Sequence, residues 1–205
     1  RGRIDALVNN AGLYHASLDR TPDGFETTMG VNHVAHQLLT LRLADSLRRP
    51  GVRIVNVASE GHRSARLRRA PLVDILRGRQ PKYGGVQAYA DSKLANVLFT
   101  RELVRRWGDD GVVALSLHPG VLSTRIWDNT KSFLRILSFA IRPFMDTPEV
   151  GGKATAACVT DEGLAEDNGA YLKKFKVVDA APEAGDTELA EELWEVTVRE
   201  LGDRL

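Results

Sequence analysis

Tyr89 and Lys93 stand four residues apart in the stretch Gln-Ala-Tyr-Ala-Asp-Ser-Lys-Leu-Ala-Asn. On a helix that spacing puts both on one face, where an ammonium beside a phenol favours the ionised phenolate. A phenol titrates near ~10 in water, and a nearby cation draws the value down. The pair therefore reads as a candidate acid/base that exchanges a proton with an alcohol or carbonyl near neutral pH. Chance places Tyr and Lys four apart on many surface helices, so the elements around the pair must carry the reading.

Three apolar runs end abruptly in polar or small residues. Ile4-Asp5-Ala6-Leu7-Val8 stops at Asn9-Asn10-Ala11-Gly12, Val52-Arg53-Ile54-Val55-Asn56-Val57-Ala58 at Ser59, and Val112-Val113-Ala114-Leu115-Ser116-Leu117 at His118-Pro119-Gly120. Such runs predict buried parallel strands that deliver site chemistry to their C-terminal ends, where open α/β sheets bind ligands. Helices are expected at about 22–48, 86–107, 147–159 and 186–201, the first starting at Thr21-Pro22-Asp23 with a capping Thr and Pro in its first turn. A last short strand falls near Ala170-Tyr171-Leu172 or Val177-Val178. This alternation predicts an α/β fold, a Rossmann-type doubly wound parallel sheet in three α/β/α layers, forming a single domain over 1–205.

These pieces together resemble the short-chain dehydrogenase/reductase family over nearly the whole chain. The matching segments are Asn9-Asn10-Ala11-Gly12, Asn32 in Val-Asn-His-Val-Ala-His, Ser59 in Ile-Val-Asn-Val-Ala-Ser, Tyr89 with Lys93, and Pro119-Gly120-Val-Leu-Ser-Thr124. Asp-Gly-Phe-Glu at 23–26, Ser-Lys-Leu-Ala-Asn at 92–96, Leu-Trp-Glu-Val at 193–196 and the long interval from Ser59 to Tyr89 are similar to its retinol-dehydrogenase-like branch.

The resemblance implies an oxidoreductase that interconverts an alcohol with its aldehyde or ketone by hydride transfer, with NADP or NAD as cofactor and a small lipophilic substrate. It implies Tyr89 as proton donor in reduction, Ser59 as partner of the substrate oxygen, Lys93 as holder of the nicotinamide ribose, and Asn32 as anchor of a water in the proton path. Asn10, Ala11 and Gly12 would line the adenosine side of the cofactor cleft, and Pro119, Gly120 and Thr124 the nicotinamide end. Hydride chemistry of this kind asks the protein for position and one proton. One departure stands out: no Gly-x-Gly-x-x-Gly phosphate-binding turn occurs in the 205 residues. The chain is accordingly expected to be the C-terminal portion of a Rossmann-fold domain, inactive by itself, with an apolar edge exposed on the strand Ile4–Val8. The alternative is a non-catalytic scaffold or pseudoenzyme that has lost cofactor binding. Against it stand Asn32, Ser59, Tyr89 and Lys93, which a scaffold has no use for.

Composition sets the outer bounds. With 205 residues, 43% hydrophobic and 27% charged, there is material for one sizeable core. A net charge of +1 argues against a dedicated nucleic-acid binder. The lone Cys158 excludes an internal disulfide and reads as a core residue of a reducing compartment, so a cytoplasmic location is expected. A homodimer is left open.

Four rival readings attach to other residues. His33 and His36 could share a metal but lack a third ligand with suitable spacing, so no metal site is expected. His62 close to Ser59 invites a serine-hydrolase reading, yet Val57-Ala58-Ser59-Glu60-Gly61 lacks the first glycine of a nucleophile elbow. The arginine-rich stretch 60–85 reads as a solvated surface loop in preference to a phosphate-binding patch, and its Tyr83 has Gln87 where the lysine partner would be needed. Finally, the apolar run Phe133–Met145, broken by Arg135 and Arg142, is too short to span a bilayer. It reads as a substrate lid, with shallow membrane association as the second reading.

Overall fold

The computed structural model describes residues 3–120 and 147–205. Among these, a five-stranded sheet has the order β1 (Ala6–Asn9), β2 (Arg53–Val57), β3 (Val113–His118), β4 (Tyr171–Lys173), β5 (Lys176–Val178). The first four strands run parallel, with Ala6 opposite Arg53 and Arg53 opposite Val113. The β4–β5 pair is antiparallel, so the two places expected for one last strand form the two arms of a hairpin.

Helices cover both faces. Alternation along β2 sends Val55 toward Ala154 and Cys158 of the helix α4 (Pro148–Thr160), and its neighbour Ile54 toward Phe99, Leu103 and Trp107 of the long helix α3 (Gly85–Trp107). On the α3 side α5 (Thr187–Leu201) packs through Leu189, Leu193 and Val196 against Leu94 and Leu98. Full burial of each such side chain stabilises by roughly 1.5–3 kcal/mol. The three-layer α/β/α expectation is met, and α5 carries the strongly amphipathic pattern that a surface helix requires.

The segment expected as one helix over 22–48 is built differently. Thr21 starts a turn in which the Gly24 N–H donates to the Thr21 carbonyl at 2.8 Å, and Gly24 at φ +80° takes the chain out of helical geometry. Helix begins at Thr27, capped by Glu26, whose carboxylate accepts from Thr28 N at 2.9 Å and Met29 N at 2.7 Å. A π-turn at Gly30–Val34 then widens the coil before α1 (Ala35–Arg42) resumes.

The stretch 60–85 is also more ordered than a solvated loop. It contains α2 (Leu72–Arg77), and Leu67, Leu72, Ile75 and Leu76 are buried. Its arginines face partners within the fold: Arg68 pairs with Asp186, Arg69 with the fully buried Asp91, and Arg77 with Glu200. Hydrophobic periodicity hidden among basic residues accounts for the misreading.

Candidate active site

One face of α3 presents Tyr89, Lys93, Asn96 and Thr100 to the sheet, at relative positions 0, 4, 7 and 11. Gly85 permits the start of this helix: a Cβ there would stand 2.4 Å from the His15 carbonyl oxygen. Lys93 is 3% exposed, and its Nζ donates to the Val57 carbonyl at 3.0 Å, alongside the Asn96 amide, which donates to the same oxygen at 3.1 Å. Burial pulls the Lys93 ammonium down to about 8.

Tyr89 hydrogen-bonds the Ser59 hydroxyl and meets the Tyr14 ring edge to face at 6.3 Å. The phenol is displaced above its ordinary value, contrary to the lowering expected from the spacing. Burial is the cause, and the hydrogen bond from Ser59 opposes it only in part. Lys93 does not reverse the balance because Nζ lies 5.6 Å from the centre of the Tyr89 ring and is turned toward Val57.

Ser59 stands at the end of β2 in extended backbone and caps the short turn that follows, its Oγ accepting from Gly61 N at 3.2 Å. Asn32 lies in the π-turn and is fully buried. Its side chain accepts from Leu13 N at 2.8 Å, donates to Leu13 O at 2.9 Å, and donates to Ser92 Oγ at 3.0 Å. Ser92 Oγ in turn donates to the Tyr89 carbonyl at 2.8 Å, so Asn32 clamps the loop after β1 to the helix turn that holds Tyr89. Nothing in the sequence singled out Ser92 or Tyr14, although Ser92 sits inside the matched motif.

Of the residues expected to hold a cofactor, Asn10, Ala11 and Gly12 are exposed just beyond β1. A Cβ at Gly12 would stand 3.4 Å from both Asn32 Oδ1 and Lys93 Nζ, so glycine keeps a slot open above the ammonium. Pro119 and Gly120 follow β3, whose end is registered beside that of β2 by the Ala58 N–H donating to Leu117 O at 2.8 Å. Thr124 and the expected lid Phe133–Met145 lie outside the described residues.

The rival sites dissolve into the fold. Tyr83 donates its hydroxyl to Glu26 Oε1 at 2.9 Å, and burial pushes its phenol far up. His33 and His36 are buried, and among the described residues no group of three potential ligands could hold a metal. His62 turns both ring nitrogens to backbone, Nδ1 to the Ser59 carbonyl at 2.7 Å and Nε2 to the Ala181 N–H at 2.9 Å, and neither to Ser59 Oγ. Cys158 is fully buried and its thiol is pushed up to about 11, as a core residue should be.

A parallel sheet that brings Ser59, Tyr89 and Lys93 together at its strand ends defines a Rossmann-type α/β domain. Comparison with known proteins refines this. Residues 1–70 match the family model described as short chain dehydrogenase. Human retinol dehydrogenase 12 is 37% identical over 98% of this chain and 62% of its own length. The chain thus spans about three fifths of the relatives it matches. A crystal structure of an uncharacterised protein from Mycobacterium paratuberculosis is 27% identical with a TM-score of 0.66, covering 97% of this chain and 67% of that one. A blue fluorescent protein from a metagenomic library, solved with NADPH, is also 27% identical, with a TM-score of 0.57 and coverage of 85% and 66%.

The chain is similar to the short-chain dehydrogenases and, among its relatives, to the retinol dehydrogenases. That similarity overturns the cytoplasmic expectation, because retinol dehydrogenases 11, 12 and 13, at 36%, 37% and 37% identity, are membrane-associated enzymes. A lone reduced cysteine reports redox exposure and is blind to attachment at a membrane surface. Among the described residues no helix is long and apolar enough to cross a membrane.

Proposed function

We propose that this chain carries the proton-transfer site of a nicotinamide-dependent oxidoreductase that interconverts a lipophilic alcohol with its aldehyde or ketone. The observation that carries the reading is the hydrogen bond between the Ser59 and Tyr89 hydroxyls at the C-terminal edge of the sheet, with Lys93 buried one helical turn further on. Two hydroxyls in contact offer one carbonyl oxygen two donors, and the raised phenol keeps its proton until an alkoxide forms beside it.

The slot above Gly12 and the Lys93 ammonium suit the ribose of NADP or NAD, since a buried cation with a single named acceptor, Val57 O, has further N–H groups to donate. When bound, the dinucleotide supplies the hydride. The residues of the chain do the rest: Tyr89 holds and releases a proton at Oη, Ser59 orients the substrate oxygen, Asn32 through Ser92 fixes the turn carrying Tyr89, and Asn10, Ala11, Gly12, Pro119, Gly120 and, by its place in the sequence motif, Thr124 would hold the cofactor. Lipophilic substrates are favoured by the similarity to enzymes named for retinol.

The test is oxidation of NADPH and NADH by the full-length protein, followed optically with retinal-like and glyceraldehyde-like carbonyls. Turnover of the apolar substrate with a kcat/KM well above that of the polar one is expected. Absence of turnover with both cofactors refutes the reading.

A further inference from the structure

His62 belongs to no part of the site described so far, yet it is 1% exposed and every polar atom of its ring has a defined task. Nε2 accepts the Ala181 N–H at 2.9 Å and must therefore be unprotonated. Nδ1 then carries the ring proton and donates it to the Ser59 carbonyl at 2.7 Å, an oxygen that also accepts the His62 backbone N–H at 3.0 Å. The ring lies 4.6 Å from that of Tyr171, whose hydroxyl donates to Glu60 at 2.8 Å. One neutral imidazole thus ties the end of β2 to the segment leaving β5, across the sheet edge from which Ser59 projects.

We propose that His62 is a positioning residue for the oxidoreductase reaction: its Nδ1–H fixes the Ser59 peptide, and through it the direction in which Ser59 Oγ meets Tyr89 and the substrate oxygen. The inference rests on the reading of Ser59 and Tyr89 given above. The backbone around Ser59 needs such a restraint. Its carbonyl meets the buried His62 ring, its Oγ is shared between Gly61 N–H and Tyr89, and the four-residue turn Ser59–His62 is closed by that same carbonyl. Without the ring donor the peptide can rotate and Ser59 Oγ with it, and small displacements of a group that orients a reacting atom cost rate steeply. The charged groups facing the ring are Glu60 and Arg63 on its own turn and Arg101 from α3, and burial holds the imidazole in its neutral form.

Two substitutions separate positioning from bulk. His62→Asn places an amide N–H near the position of Nδ1 and lacks an acceptor for Ala181. His62→Gln reaches Ala181 with its amide oxygen and loses the donor to Ser59. In the full-length protein, His62→Gln is expected to lower kcat about tenfold while cofactor affinity stays within about twofold, and His62→Asn to keep kcat within about threefold despite a lower melting temperature. Equal kcat losses in the two variants, following their melting temperatures, would make His62 a packing residue and overturn the proposal. So would unchanged kcat in His62→Gln. Should the Gln variant fail to fold, His62→Asn decides: retained kcat supports the proposal and a tenfold loss overturns it. A Tyr89→Phe control keeps the two readings apart, because full activity there sinks the functional assignment itself, whereas its inactivity beside a fully active His62→Gln sinks only this inference.

Discussion

The polar stripe on α3 divides into two halves that follow opposite rules. In the C-terminal half, polar groups bond chiefly to one another, with Asn9 Oδ1 and Asn96 Oδ1 left over. Thr100 Oγ1 donates to the Asn96 carbonyl at 2.8 Å and accepts from Asn56 Nδ2 at 2.9 Å. Asn56 Oδ1 accepts from Asn9 at 2.8 Å, and Asn9 also reaches Thr40 at 3.1 Å. This chain of amides and hydroxyls crosses β2 and β1 from α3 to α1 without solvent and works as a staple. In the N-terminal half, Lys93 is buried and Tyr89 half-buried, and each carries a displaced pKa, upward for the phenol and down to about 8 for the ammonium. A displaced equilibrium marks a group whose charge its surroundings control: the lowered ammonium moves nearer to losing its proton and the raised phenol holds its own, whereas an amide has no such equilibrium. On the proposed reading one helix face supplies both scaffold and chemistry, and substitutions should sort accordingly.

The largest effect is expected at Tyr89. Tyr89→Phe removes one hydroxyl and keeps the ring that packs on Tyr14, so kcat should fall by roughly 10²–10⁴-fold, the usual contribution of a positioned acid/base, with little loss of stability. Stopped-flow turnover beside a thermal melt checks both halves of that statement. Residual activity within a few-fold of the unmutated enzyme would remove Tyr89 from the chemistry.

Asn56→Ala should do the reverse. It strips partners from Asn9 Nδ2 and Thr100 Oγ1 together, and each buried group left unsatisfied costs about 1–3 kcal/mol. Denaturant titration should register a loss of that order, while kcat per folded molecule stays unchanged. A tenfold kcat loss without destabilisation would mean that the two halves are not separate.

Lys93 permits a test through pH alone. Its folded pKa of about 8 lies below the 10.5 of an unperturbed lysine, so the unfolded chain binds more protons between those values. Stability of the cofactor-free protein should therefore rise with pH across about 8 to 10.5, by at most a few kcal/mol, and Lys93→Met should abolish the rise. His33 and His36, pulled down by burial to about 3 and about 4, act at the other end. Their stabilisation is complete above 6.5 and is lost as pH falls toward about 4 for His36 and about 3 for His33.

Much of this was legible in the chain. The three apolar runs ending in Asn9, Ser59 and His118 marked the parallel strands, because β2 and β3 are covered on both faces, while the outer β1 leaves Val8 exposed. The i, i+4 relation of Tyr89 and Lys93 gave their shared face. What spacing could not give was the sign of the Tyr89 displacement, since local sequence carries no measure of burial and Lys93 turned toward a carbonyl from another strand. The helix start at Glu26 was hidden for a similar reason. Thr21-Pro22 has good capping chemistry, and the competition was decided by Gly24 in left-handed backbone and by the Leu76 carbonyl, which accepts the Glu26 N–H at 2.8 Å. The buried leucines and isoleucine of 60–85 were masked by the arginines between them, whose partners lie far along the sequence.

The smallest expected effect tests the boundary between the two halves most directly. Thr40→Val preserves shape and removes one hydroxyl, leaving a single N–H of Asn9 without its acceptor while the other still bonds Asn56. The cost should be about 1–2 kcal/mol, at the low end for a buried donor, because the Asn9 amide keeps its bond to Asn56. Combined with Thr100→Val, which sits at the far end of the same chain of hydrogen bonds, the two losses should depart from additivity by more than ~0.5 kcal/mol, since the amides between them can repack once both ends are apolar. Combined with Ser59→Ala, the loss from Thr40→Val should add within that margin, because Ser59 shares no partner with Asn9 or Asn56. Additivity in both cycles would show that the staple is a set of independent bonds, and coupling to Ser59 would show that scaffold and chemistry on α3 are one network.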